Sequence, residues 1–451
     1  MNHPKVTVQL PVYNERYVVT RLIKAVSALQ YPKDRLQILV LDDSTDDTTQ
    51  LAEREVERLR GEGVDIQLVH RSNREGFKAG ALQNALRYTT GKYVVVFDAD
   101  FVPRADFLEK TIPHLEEDPS LGFVQTRWGH LNREYSKFTE AFALGMDVHF
   151  MVDQAGRSEG SLLMNFNGSG GVLRTEAIRD SGGWNSDTLT EDLDLSYRIQ
   201  MKGWKALYLK DIVVPGEVPV NMPSFKSQQA RWACGSIQCA RKLLGDVWRS
   251  NLFSFLQKLQ ATMHMTYYVI HPLMVLLLIV TVPMLALNAF PFKNLFLPFA
   301  ILFGLCAVST STTYMSSIQW QNLSLMRKFP YMFFLSVIGG GLSAECSLSV
   351  FKGLLTKGGF FARTPKYNIL KRRGDWTSKV YKPLEGVPIF EVLLAAYALI
   401  GAALVSVNEL WGLCLLLYFI GYVTVAYYTR LHYKHSASCE SLIDHPFSAP
   451  L

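Results

Sequence analysis

Between Lys258 and Lys293, and again between Lys293 and Arg327, the chain carries no Asp, Glu, Lys or Arg. Each gap holds a run long enough to cross a bilayer, which takes about 20 apolar residues. Two more apolar runs follow at roughly 387–407 and 410–429. Chain crossing hydrocarbon must satisfy its own backbone, so these runs commit the rear half to helices. Up to about residue 250 the composition is that of a soluble α/β protein, which predicts an integral membrane protein with a cytosol-like front half. The chain opens "MNHPKVTVQL", straight into a strand and without the pattern of a signal peptide. The front half, and any active site on it, is therefore expected on the cytoplasmic face. The host membrane would be the cell membrane in a prokaryote or a Golgi-type membrane in a eukaryote.

The first hundred residues alternate strand and helix signals. "VTVQLPVYN", "LQILVLDDS", "IQLVH" and "YVVVFDAD" are separated by helical stretches, one opening at "GFKAGALQNAL". That alternation predicts a mostly parallel, Rossmann-like sheet with helices on both faces. Ligands bind such sheets beyond the carboxyl ends of the strands. Asn14 and Glu15, Asp42 and Asp43, and Asp98 and Asp100 all fall there. Side chains along a strand alternate faces, so positions 98 and 100 are expected to point the same way. Two carboxylates side by side repel unless a cation neutralises them, although Asp at a strand end is also turn chemistry. Mg²⁺ or Mn²⁺ on a diphosphate would resolve that repulsion, since both favour oxygen ligands and often take one or two carboxylates plus phosphate.

Other stretches carry chemistry with an ordinary alternative beside each. Asp42 and Asp43 in "VLDDSTDDT" suit a nucleobase N–H, while Ser44 or Asp46 can cap the following helix. Lys78 sits just inside a helix N-terminus that favours an anion, or is a solvated lysine. In "TLTEDLDLSYR", Asp192 is the candidate general base, with Glu191 beside it near the acceptor. Acids are also common in a first helical turn, and Asp194 would face elsewhere. "SQQARWACG" offers Gln228 and Arg231 to phosphate and the flat face of Trp232 to a sugar, or merely an aromatic membrane anchor. Trp128 in "QTRW" is a weaker candidate of the same kind. The six cysteines form no CxxC pair and read as reduced, mostly buried thiols. The net charge of +6 is mild, and the positive residues concentrate in 352–382, which suits anionic lipid better than nucleic acid.

PVYNE, LDDSTD, KAGAL, DAD, TED and QxxRW, in this order over residues 6–245, resemble the family 2 inverting glycosyltransferases of the cellulose synthase superfamily. The likeness is nearest to the cellulose-synthase-like mannan and glucan synthases. It implies a GT-A catalytic domain in which Asp43 contacts the base and Asp98 and Asp100 hold Mg²⁺ or Mn²⁺. Asp192 would be the base, and Gln228, Arg231 and Trp232 would bind the diphosphate and the acceptor-end sugar. "FARTPK" resembles the family's gating loop FxVTPK, placing Phe361, Thr364 and Lys366 in that motif with Arg363 where Val is usual. The loop is cytoplasmic in that family. This fits an interfacial or re-entrant reading of 330–352, which is broken by Gly339–Gly341 and carries Glu345. About four spans follow.

The expected division is a catalytic domain over 1–222 and amphipathic interfacial helices over 223–261. Spans over 262–316 and 387–429 flank an interfacial helix and cytoplasmic loop over 317–386, and a cytoplasmic tail covers 430–451. Two departures from the family are the lack of a helix before the catalytic domain and of a cyclic-dinucleotide domain after it. The implied reaction moves hexose from UDP-glucose or GDP-mannose to a growing β-1,4-glycan with inversion. The alternative acceptor is a membrane lipid such as diacylglycerol or ceramide. A catalytically dead scaffold is the third reading.

Overall fold

The computed structural model describes residues 3–287, 296–379, 381, 388–404 and 410–441. Seven strands form one sheet: β1 (Val6–Val12), β2 (Leu36–Asp42), β3 (Ile66–His70), β4 (Tyr93–Val96), β5 (Leu121–His130), β6 (Gly171–Arg174) and β7 (Lys205–Gly216). Their order is β3-β2-β1-β4-β6-β5-β7, and only β6 runs against its neighbours. The sheet is mostly parallel, as expected. Strands β1, β2 and β4 are buried at every residue, so they read as unbroken apolar runs. Leu22, Val56 and Leu108 bring helices Val19–Ser27, Thr48–Gly61 and Phe107–Glu117 onto one face. Leu82 and Leu195 bring helices Phe77–Ala85 and Glu191–Met201 onto the other.

Register fixes the rim. Val12 pairs with Asp42, and Asp42 with His70, so β1, β2 and β3 end level. The chain leaves them as Tyr13–Glu15, Asp43 and Arg71. Strand order reverses at β1 and β4, the place where open sheets of this kind take their ligands.

The 28-residue helix Met222–Arg249 starts on Asn221, whose side chain accepts from the Ser224 N–H, with Pro223 in its first turn. Its middle, Ala233–Ala240, is buried by the protein itself. A Cβ at Gly235 would lie 2.6 Å from Thr190, and one at Gly353 would lie 2.6 Å from the Cys234 carbonyl. Small residues thus let the helix slot between Glu191–Met201 and Ser343–Leu355. Its Gln228, Arg231 and Trp232 line a cavity.

Among the described residues, two helices are long and apolar enough to cross a membrane, Phe255–Ala286 and Gly412–Tyr433. Leu325–Gly341 and Ser343–Leu355, bent by 50°, make a broken span or a re-entrant loop. Ile389–Ala403 is shorter, so among the described residues length and composition give two spans, or three if the bent pair counts as one, against the four expected. Lys293 and the tail beyond Ser441 lie outside the described residues. Glu345 does not stand alone at the bend. It lies 3.6 Å from Lys226, which also pairs with the buried Glu391. Cys234, Cys239 and Cys346 are free and buried, and Cys414 is free and half-buried. The side chains of Cys306 and Cys439 lie outside the described residues.

Candidate active site

A cavity of about 940 Å³ opens above β1, β2 and β4 and runs on between the membrane-side helices. Glu15, Asp43, Lys78, Asp98, Asp100 and Asp192 line this one space. Glu191, Trp128, Gln228, Arg231 and Trp232 line it too, as do Phe361, Arg363, Thr364 and Lys366. The dispersed acids of the sequence therefore meet.

Asp42 is the exception. It was expected to bind nucleotide, but it is fully buried and absent from the lining. Its carboxylate accepts from the Ser44 N–H at 3.0 Å and the Thr49 hydroxyl at 2.6 Å, and lies 2.8 Å from His70 Nδ1. Asp42, the last residue of β2, turns to Thr49 and to His70 of β3, and Asp43 beyond the strand lines the cavity. Asp42→Ala should lower stability by about 1–3 kcal/mol through the buried donors it strands. A fall in the thermal midpoint with little change in nucleotide affinity is the expected result. Of the two capping candidates, Asp46 accepts from the Thr48 N–H at 3.0 Å, whereas Ser44 accepts from the Asn14 N–H instead.

The alternation argument for Asp98 and Asp100 does not apply, because the ladder of β4 stops at Val96 and residues 99–100 form a turn. The turn, not a strand face, presents both carboxylates to the cavity. Each already has a counter-ion. Lys78 Nζ lies 2.6 Å from Asp98 Oδ1, and Lys366 Nζ lies 2.8 Å from Asp100 Oδ2. Lys78 also donates to the Gly168 carbonyl at 3.0 Å and lies 3.7 Å from Glu191. It is partly buried and ion-paired rather than a solvated surface lysine.

Two carboxylates from one turn suit Mg²⁺ or Mn²⁺ arriving on a diphosphate, with phosphate and water completing the shell. Among the described residues no group of three or more His, Cys, Asp or Glu could cage a metal alone. The donor set fits a cation shared with substrate.

Asp192 sits in the first turn of helix Glu191–Met201, facing Gly168 of "FNGSGG". Burial pushes its carboxyl up to about 7, with the neighbouring Glu191 adding to the rise. Lys78, the Leu193 N–H and Arg231 oppose it. A group poised there is mostly protonated below pH ~7 and a competent base above it. The rate kcat/KM should therefore rise with pH through that value. Glu191→Gln removes a contribution that raises Asp192, so the midpoint of this limb should move to lower pH, read from initial rates of sugar transfer. Asp194 does face elsewhere. It is fully buried against Arg198 and Lys242.

At the far end of the rim, Arg71 forks onto both oxygens of Asp43, and Arg74 stacks on the Tyr13 ring at 3.4 Å. Burial raises Glu15 to about 7 despite the Arg363 guanidinium 3.2 Å away. On the opposite wall Arg231 lies over the Phe361 ring at 4.4 Å, and its Nε has no protein partner. Trp128 donates to the Ser169 carbonyl at 2.9 Å and meets Phe101 edge-on, which makes it a wall as much as a platform.

Four residues escaped the sequence reading. Arg71 and Arg74 follow β3 in "RSNREG", and Glu217 follows β7, an acid at a strand end like those already singled out. Arg21 reaches Glu217 at 2.8 Å from a helix with no motif to mark it.

Residues 7–174 match the model of Glycosyl transferase family 2, and residues 93–320, half of the chain, match that of Glycosyl transferase family group 2. The chain belongs to the family 2 glycosyltransferases. Within them it stands close to the cellulose-synthase-like mannan synthases. It is 39% identical over 300 residues to glucomannan 4-beta-mannosyltransferase 7 of Arabidopsis thaliana, covering 62% of this chain and 54% of that one. It is 35% identical over 375 residues to probable glucomannan 4-beta-mannosyltransferase 3 of Oryza sativa subsp. japonica, covering 79% and 64%. This glycosyltransferase thus spans about half to two thirds of the length of the curated relatives it matches. Its fold is similar to that of the mannosyltransferase PcManGT of Pyrobaculum calidifontis, solved with GDP-Man and Mn²⁺. The TM-score is 0.52 at 23% identity, over 78% of this chain and 88% of that one.

Proposed function

We propose that this chain is a membrane-embedded inverting hexosyltransferase that extends a β-1,4-linked glycan from a nucleotide sugar, with GDP-mannose the first donor to test and UDP-glucose the second. The observation that carries this is the convergence of Asp192, the DAD turn and the QxxRW helix on one cavity. The names of the plant relatives and the GDP-Man and Mn²⁺ of the archaeal neighbour support mannose, a guanine nucleotide and a divalent cation.

In this reading Asp43 accepts from the base, and Arg231 and Gln228 meet the diphosphate. Trp232 carries the ring of the acceptor-end sugar on its face. Asp192 takes the proton of the attacking 4-hydroxyl, and attack opposite the departing diphosphate inverts the anomeric carbon. Asp98 and Asp100 would hold a divalent cation on the diphosphate, which would supply Lewis-acid neutralisation of the leaving group. The helices keep the catalytic domain on the cytoplasmic face.

The lipid-acceptor reading has one observation of its own. The cavity reaches Leu256, Leu259 and Met263, which are exposed on the outer surface of a candidate span. Membranes holding the full chain, given radiolabelled GDP-mannose or UDP-glucose, decide between the two. Label in chains that a β-mannanase or β-glucanase shortens supports polymer synthesis. Label that moves into organic solvent supports the lipid acceptor.

A further inference from the structure

The FARTPK strap sits in the donor site with its charges already spent. Lys366 Nζ is 2.8 Å from Asp100 Oδ2 and donates at 2.8 Å to the Glu217 carbonyl, while the Glu217 N–H donates to that same Asp100 oxygen at 2.7 Å. Beside it, Arg363 pairs with Glu15 at 3.2 Å and lies over the Tyr381 ring at 4.8 Å. Tyr381 in turn donates to the Lys366 carbonyl at 2.6 Å. Between these two cations in sequence, the Thr364 hydroxyl is buried and has no protein partner. A buried hydroxyl left unpaired is costly, and a ligand oxygen would complete it.

We propose that Lys366 makes metal binding conditional on the nucleotide: its ammonium holds Asp100 in the empty protein and leaves only when a nucleoside diphosphate arrives. This rests on the reading of the DAD turn as the seat of a diphosphate-bound cation. A divalent ion approaching Asp100 alone meets a fixed ammonium at the same carboxylate, and in a partly buried site that repulsion is weakly screened. A dianionic diphosphate reverses the balance. It attracts the cation, offers Lys366 phosphate oxygens in place of Asp100, and gives the Thr364 hydroxyl an acceptor. Metal and nucleotide then help each other by one and the same factor, as linkage requires.

The test follows free Mn²⁺ by electron paramagnetic resonance during titration into the detergent-solubilised full chain, with and without GDP or UDP. Wild type should bind Mn²⁺ weakly alone and about 5–150-fold more tightly with the nucleotide it accepts. Lys366→Met should bind Mn²⁺ more tightly alone and lose most of the nucleotide effect, while Lys366→Arg should behave as wild type. Equal affinity of wild type and Lys366→Met for Mn²⁺ alone overturns the proposal. If a nucleotide binds wild type yet leaves its Mn²⁺ affinity unchanged, this proposal fails and the donor reading stands. If neither nucleotide binds, the donor reading fails and takes this one with it. Should Lys366→Met not be recovered folded, Lys366→Gln, which also removes the charge, takes its place in the same titrations.

Discussion

Replacing Asp192 by Asn should cut kcat by about 10²–10⁴-fold, the usual contribution of a positioned base. The amide keeps the shape of the side chain and the oxygen that accepts from the Leu193 N–H at 2.8 Å. It cannot take the proton of an attacking hydroxyl. Nucleotide affinity, measured by calorimetry on the same preparation, should stay near that of wild type. A variant that transfers sugar at the wild-type rate would remove Asp192 from the chemistry and favour the scaffold reading.

Gly168→Ala should cost about as much without replacing a titratable group. Gly168 holds φ +80, and a Cβ there would lie 2.8 Å from Asp192 Oδ2 and 3.3 Å from Lys78 Nζ. The base must move, and a displacement of about 1 Å at a reacting group can cost on the order of 10²-fold in rate. Gly182 supplies the control. It holds φ +83, and a Cβ there would meet nothing within 4 Å, so Gly182→Ala bears the backbone strain alone. Both variants should lose thermal stability, but only Gly168→Ala should lose turnover. Equal turnover losses would show strain, rather than the base, to be responsible.

Parts of the site were legible because they follow from local rules. Acids just beyond the ends of parallel strands fall near the ligand-binding rim, so Glu15, Asp43, Asp98 and Asp100 could be singled out from residue type and position. Asp42 could not be separated from Asp43 by type. Only the partners Thr49 and His70 assign it to the framework. The setting of the QxxRW helix was hidden for a related reason. Its Gln, Arg and Trp gave it the composition of an interfacial helix, and only the fold shows Gly235 and Gly353 bringing its middle into the interior with those polar groups lining a cavity.

The sequence by itself determined the order of strands and helices, the apolar runs of the rear half and the acids offered at strand ends. Those are set by neighbours within a few residues, through side-chain alternation and the bilayer's demand for apolar length. Which charges meet was decided by the tertiary structure alone. Lys366 reaches Asp100 across 266 positions and Arg21 reaches Glu217 across 196, and no local pattern encodes such pairs. They form because carboxylates gathered at one buried rim need cations, and the folded chain brings its nearest ones to them.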